Sequence, residues 1–392
     1  MAAKLSNAAR TLRTAFFTAA LTAVAGLAIA QEFRANHPDT YVVQKGDTLW
    51  GIAGRFLQKP WLWPEIWQAN PQVKNPHLIY PGDVLSLAYL NRGQVQPGPR
   101  TEAPITGVPL EQVEAFLKDM RIYDQIDDLP YVVGLEEDRL LGARGQAVYV
   151  RGLGADAKPG QRYAVMRPVQ LYTMGMRRGD NGAFTRRAPL DRAGRRTDYP
   201  ADEQAWSEFM LASDGMEKLG YEMRRVNAGV ITRGEVGGIE AATLQLDDQN
   251  YEVRVGDKLV PVESIPYDLH FFPHPPKNQL PYRKAQVLAV ADRNHMAGSR
   301  DVVALSVGAR DGVDNGTVFS IWRVGSNVVD RVQVPHRDGD LVGSHKKVRL
   351  PDEFAGHVMV FRTFDKISYG LVMDSVKPAH TGYELKHPDA PY

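Results

Sequence analysis

From Tyr131 onward one pattern keeps returning, and it restricts the fold more than any other feature. A glycine turn is followed at once by a run of β-forming residues. It occurs at Gly145–Val150, Pro159–Val165, Gly256–Val260, Asn315–Ile321 and Gly382–Leu385. Glycine supplies the positive φ of a tight turn, and β-branched and aromatic residues then favour an extended chain. Further strands are expected at Lys284–Ala291, Val302–Val307, His357–Phe364 and Ile367–Met373. Short strands joined by tight turns point to antiparallel small-barrel or sandwich β domains.

Proline marks the boundaries. A Pro-rich connector over residues 266–282 separates a β-rich middle domain, 110–265, from a C-terminal β domain, 283–392. Residues 89–109 read as an extended Pro/Gly linker, with Pro97, Pro99, Pro104 and Pro109 among Gly93, Gly98 and Gly107. An amphipathic helix follows over Glu111–Met120, with Val113, Phe116 and Leu117 on one face. Residues 177–196 carry Arg177, Arg178, Arg186, Arg187, Arg192, Arg195 and Arg196. They read either as a solvated loop or as a surface for anionic groups.

At 392 residues the chain exceeds what one core usually serves. Its 47 Lys+Arg against 46 Asp+Glu argue against nucleic acid as the main partner. The absence of cysteine removes disulfides, thiolate nucleophiles and Cys-ligated metal sites. Residues 1–30 read as a cleaved signal peptide. Lys4, Arg10 and Arg13 precede an uncharged apolar stretch, Ala15–Ala30, that ends in the small-x-small site Ala28-Ile29-Ala30. Cleavage removes three of the 47 positive charges, leaving 44 against 46 and a slightly acidic mature chain. A periplasmic location is expected.

A small module occupies residues 41–88. A strand begins at Tyr41, Gly46 permits a turn, and Asp47 is a good helix N-cap. Leu49, Ile52, Ala53 and Phe56 form an apolar stripe at helical spacing. A second helix is expected from Pro64 to Asn70, where Pro71 stops it. A turn at Ile79–Asp83 then leads into a strand at Val84–Leu87. The fold class is therefore α+β: a small βααβ module followed by β-rich antiparallel domains. Trp50 and Trp67 are expected in the core. Trp61 and Trp63 fall on opposite sides of an extended segment, which buries at most one and offers the other to a partner.

The GDTLW signature at Gly46–Trp50, the Asn70-Pro71 pair and the PGDVL ending at Pro81–Leu85 resemble the LysM family. That resemblance implies binding of peptidoglycan through N-acetylglucosamine-containing glycan. The sugar would lie between Gly46, Asp47, Thr48 and Leu49 on one loop and Ile79, Tyr80 and Pro81 on another. Turn amides and carbonyls suit an acetamido group, and apolar side chains suit its methyl and the sugar face.

No catalytic or metal site is expected. The ten histidines form no HExxH or HxH, and no GxSxG, SxxK or phosphate-binding glycine loop is present in the required context. No cofactor is implied. A glycosidase needs only two carboxylates, which sequence does not exclude. The stretches Asp301–Ile321 and Leu350–Met373 resemble the TsaP family of type IV pilus secretin-associated proteins, which pair one LysM module with a β-rich remainder. This resemblance implies a non-enzymatic anchor between peptidoglycan and an outer-membrane secretin, arrayed as a homo-oligomeric ring.

Overall fold

The computed structural model describes residues 38–74, 79–87, 110–154, 157–176, 183–189, 217–235, 237–262, 272–280, 284–291, 296–329 and 347–391. The expected signal peptide over residues 1–30, the 89–109 linker and most of the 177–196 segment lie outside them. The chain divides into two compact units, Met1–Val108 and Pro109–Tyr392.

In the first unit, β1 (Thr40–Val42) pairs antiparallel with β2 (Val84–Ser86), Tyr41 opposite Leu85. Between them lie α1 (Leu49–Phe56), a 3₁₀ turn (Pro60–Leu62) and α2 (Trp63–Gln68). Leu49, Trp50, Ile52 and Ala53 of α1 are buried with Ile66, Ile79 and Leu85.

The second unit opens with α3 (Leu110–Lys118) and β3 (Met120–Tyr123). Six strands then close into a ring: β4 (Tyr131–Leu135), β5 (Ala147–Arg151), β6 (Arg162–Met176), β8 (Glu217–Arg233), β9 (Ala242–Leu246) and β10 (Lys258–Pro261). Going round, the order is β4-β5-β9-β8-β6-β10, and β10 returns to β4. Closure leaves no open edge in the ring. Its interior holds Val132, Val148, Val150, Val165, Leu244 and Leu259. The two longest strands, β6 and β8, run beyond the ring as an arm, where β3 pairs with β8 and β7 (Ala183–Pro189) pairs with β6. β7 covers Arg186 and Arg187, so this part of the Arg-rich segment is a strand and not a loop.

A second ring uses β11 (Val287–Val290), β12 (Val302–Leu305), β13 (Val318–Arg323), β16 (Glu353–Thr363), β17 (Ser368–Ser375) and β18 (Glu384–Lys386). Its order is β11-β12-β17-β16-β13-β18. It closes where Gln286 bridges Glu384 and Val287 N–H donates to Tyr383 O. Val303, Phe319, Ile321, Val358, Val360 and Val372 fill it. A two-stranded ribbon, β14 (Asn327–Val329) with β15 (Lys347–Arg349), lies between β13 and β16.

The two rings share one topology. Numbered one to six along the chain, the strands pair 1–2, 2–5, 5–4, 4–3, 3–6 and 6–1 in both. Each also carries the recurrent glycine turn before strands two, three and six. The turns of the first ring are Ala143–Gln146, Lys158–Gln161 and Arg254–Asp257, and those of the second are Gly298–Asp301, Asp314–Thr317 and His380–Tyr383. The third residue has positive φ, and it is glycine everywhere except Arg300. In five of the six, the fourth residue's side chain folds back to accept from the first residue's N–H, as Asp257 does from Arg254 at 2.7 Å. A turn that satisfies its own backbone groups starts a strand in a fixed direction.

The second ring packs on the arm of the first. Glu222 on β8 is fully buried and accepts from Tyr172 Oη at 2.7 Å and Tyr369 Oη at 3.1 Å. Burial and the Glu222 carboxylate raise the Tyr369 phenol well above its ordinary value. Arg362 on β16 donates to the last carbonyls of α3, at Phe116 and Leu117, which helix geometry otherwise leaves unpaired.

Candidate functional site

The two loops expected to hold sugar leave the same end of the β1–β2 ribbon. Val43 N–H donates to Asp83 O and Gly82 N–H donates to Val43 O, each at 2.8 Å, so the loops are tied edge to edge. Each is built on the turn that recurs in the barrels. Asp47 N–H donates to Gln44 O while Gln44 N–H donates to Asp47 Oδ2 at 2.8 Å, with Gly46 at φ +91°. Asp83 repeats the arrangement with Tyr80, at 3.1 Å, with Gly82 at φ +90°.

The cap of α1 is Thr48, not Asp47. Thr48 Oγ1 accepts from Gly51 N–H at 3.0 Å. Asp47 is 5% exposed and turned inward, where it accepts from Tyr41 Oη at 2.7 Å and pairs with Arg55 at 2.9 Å. Arg55 also donates to Tyr41 Oη at 2.6 Å. Burial and the Asp47 carboxylate push the Tyr41 phenol up from its usual value. The three side chains brace the first loop from beneath. The neighbouring order of Asp and Thr explains the shift of cap, because once the Asp side chain is consumed by its own turn, the next hydroxyl meets the helix amides.

Of the seven expected site residues, the structure brings all together on two adjacent loops but exposes only some. Leu49 and Ile79 are 3% and 1% exposed and serve the core. Gly46 is exposed, with open space where a Cβ would stand, and Thr48, Tyr80 and Pro81 are half-buried at the surface. The face offered to a ligand is therefore the backbone about Gly46 and the side chains of Thr48, Tyr80 and Pro81.

Asn70 shapes this module more than its place beside Pro71 suggests. It is fully buried, and its amide nitrogen donates to Ile66 O at 2.7 Å and Ser86 O at 2.8 Å. Its oxygen accepts from Ser86 N–H at 2.7 Å and from Gln72. One side chain thus ties the end of α2 to β2. Trp61 and Trp63 are both buried, at 6% and 5%. The expectation that at most one is covered fails because their segment is helical: the 3₁₀ turn runs straight into α2, and both indoles turn to the core. Trp50 is buried as expected, and Trp67 is half-buried, donating its indole N–H to Val73 O.

Among the described residues no group of three or more His, Asp or Glu is arranged to hold a metal ion. His357 pairs with Asp374 at 2.9 Å against the Phe354 ring. His274 pairs with Asp314 at 3.1 Å on the surface of the second barrel. His270 lies outside the described residues. Among those described, no helix is long and apolar enough to cross a membrane.

A profile of the LysM domain matches residues 41–88. The chain is also 38% identical over 60 residues to an uncharacterized protein, YqbP, of Bacillus subtilis. That likeness covers 13% of the chain and 27% of the relative's length. Residues 41–88 are a LysM domain, a module that binds carbohydrate of the peptidoglycan type and is usual in proteins of the cell envelope or exterior.

Proposed function

We propose that the chain is an exported, non-enzymatic anchor that holds an outer-membrane secretin of a type IV pilus machine to peptidoglycan. The LysM domain carries this reading, with its two loops tied side by side and Gly46, Thr48, Tyr80 and Pro81 presented at their rim. Support for the secretin comes from the TsaP-like stretches Asp301–Ile321 and Leu350–Met373, which supply β12, β13, β16 and β17 of the second barrel. Export to the periplasm rests on the charged and apolar pattern of residues 1–30.

A single LysM domain is expected to grip glycan weakly. Copies held in a ring on an oligomeric channel gain avidity through effective concentration, and a Pro/Gly linker lets each reach a glycan strand. Co-sedimentation with purified sacculi tests the glycan half. The full chain is expected to pellet and a chain lacking residues 31–90 to stay soluble; equal pelleting refutes the role given to the LysM domain. Release of soluble muropeptides in the same incubation overturns the non-enzymatic reading and favours a hydrolase with a carboxylate pair. The secretin half requires that the secretin co-purify with residues 110–392.

A further inference from the structure

The second barrel has a groove that the LysM reading does not use. Two concavities, of about 660 and about 500 Å³, meet where they share Arg349, Asp352 and Lys386. Asp352 lies just before β16 and is held by three donors. It accepts from Lys386 Nζ at 2.7 Å, Gly325 N–H at 2.9 Å and Arg349 Nη2 at 3.1 Å. Lys386 is held on its other side by the Trp322 ring, 4.7 Å from the centroid. Two cations are thus fixed side by side by one carboxylate, leaving the cluster with a net positive charge.

Arg349 keeps donors beyond the single one spent on Asp352, and its side chain is 51% exposed. A guanidinium held in place in this way is suited to a second carboxylate, bound bidentately. Apolar side chains stand on both sides of the ion cluster, in the larger concavity among polar ones such as Asn278 and Gln279. Leu280 and Pro276 line one concavity, and Leu350 and Pro391 line the other. Glu384 lines the larger one as well. Each concavity falls within the ~300–1,000 Å³ typical of small-ligand sites.

We propose that this groove binds a short peptide with a free carboxylate and small apolar side chains, namely the peptide stem of peptidoglycan. The C-terminal D-Ala carboxylate of the stem meets Arg349 and Lys386, and Leu280, Pro276, Leu350 and Pro391 take its methyl groups. The proposal rests on the glycan-binding reading, which brings the chain to the polymer that carries such stems. Tethered to a LysM domain, even a weak stem site gains from high local concentration.

Calorimetric titration of the full chain separates the two sites. The probes are the tetrapeptide L-Ala-γ-D-Glu-meso-diaminopimelate-D-Ala, its C-terminal amide, and chitotetraose. The tetrapeptide is expected to bind, the amide at least tenfold more weakly. Arg349→Gln with Lys386→Gln is expected to weaken the tetrapeptide at least tenfold and leave chitotetraose unchanged. If the double variant does not fold, Arg349→Gln alone replaces it, since Lys386 remains on Asp352. Chitotetraose binding without tetrapeptide binding overturns the groove and leaves the LysM reading intact. Tetrapeptide binding that depends on Arg349, without chitotetraose binding, sustains the groove and overturns the sugar reading. Equal binding of acid and amide, or undiminished binding by the variants, also overturns the groove.

Discussion

Single residues here matter through the backbone groups they close. Asn70 satisfies backbone groups on α2 and β2 at once. Replacing it with Ala leaves buried peptide groups without those bonds, and such a group costs about 1–3 kcal/mol. Asn70→Ala is therefore expected to lower the stability of the LysM domain by about 3 kcal/mol, measured by urea unfolding. A loss under about 0.5 kcal/mol contradicts the role assigned to it. Asp352 acts by charge. Although partial burial raises its pKa, the bonds from Lys386, Gly325 and Arg349 outweigh that and bring it down to about 2. A depressed carboxylate stabilises the fold above its unfolded pKa of about 3.9, and that contribution is lost as pH falls to about 2. Asp352→Asn is expected to flatten the stability profile across this acid window, read from thermal melts at successive pH values.

At the scale of elements the recurrent turn is the organising device. Its third residue needs a left-handed backbone, which costs a non-glycine residue about 1–2 kcal/mol. At Gly46 a Cβ meets nothing within 4 Å, so Gly46→Ala is expected to show that backbone cost alone. Gly356 has a different reason. It lies on β16 opposite Ser375, and a Cβ there would stand 2.1 Å from Asp374 O on β17. Gly356→Ala is expected to cost at least ~3 kcal/mol, because the obstacle is a strand backbone and not a side chain that moves aside. Comparing the two melts distinguishes conformational cost from close approach. If the Gly46 variant loses more, the assignment is wrong.

For the whole molecule, the duplicated ring poses the question of whether two barrels unfold as one. Glu222 accepts from a tyrosine of each barrel, and Arg310 on the second barrel pairs with Glu217 at the foot of β8. These ties cross between rings whose cores are separate clusters. Glu222→Ala removes the acceptor that both phenols use. Calorimetry of residues 110–392 carrying that variant is expected to resolve two transitions where the parent segment unfolds in one. A single transition in the variant would show that packing alone couples the barrels. The division at Val108 and Pro109 leads to a separate expectation. Residues 110–392 alone are expected to keep their β-sheet circular dichroism, since each described sheet of that unit pairs strands within it.

The sequence alone was enough to place the LysM domain and its two loops, because GDTLW and PGDVL are local: each glycine and aspartate closes a turn within four residues. It also located the glycine turns of the barrels for the same reason. What it left undecided was non-local. That Asp47 braces Tyr41 and Arg55 instead of capping α1 depends on Arg55, one helix away. That Trp61 and Trp63 both turn inward depends on a helical path their own residues do not compel. The identity of the two rings and the meeting of Arg349, Asp352 and Lys386 are decided by strand pairing over long separations. Hydrophobic alternation says which face of a strand is buried, but not which strand lies beside it. The tertiary structure supplies that choice, and the groove on the second barrel follows from it.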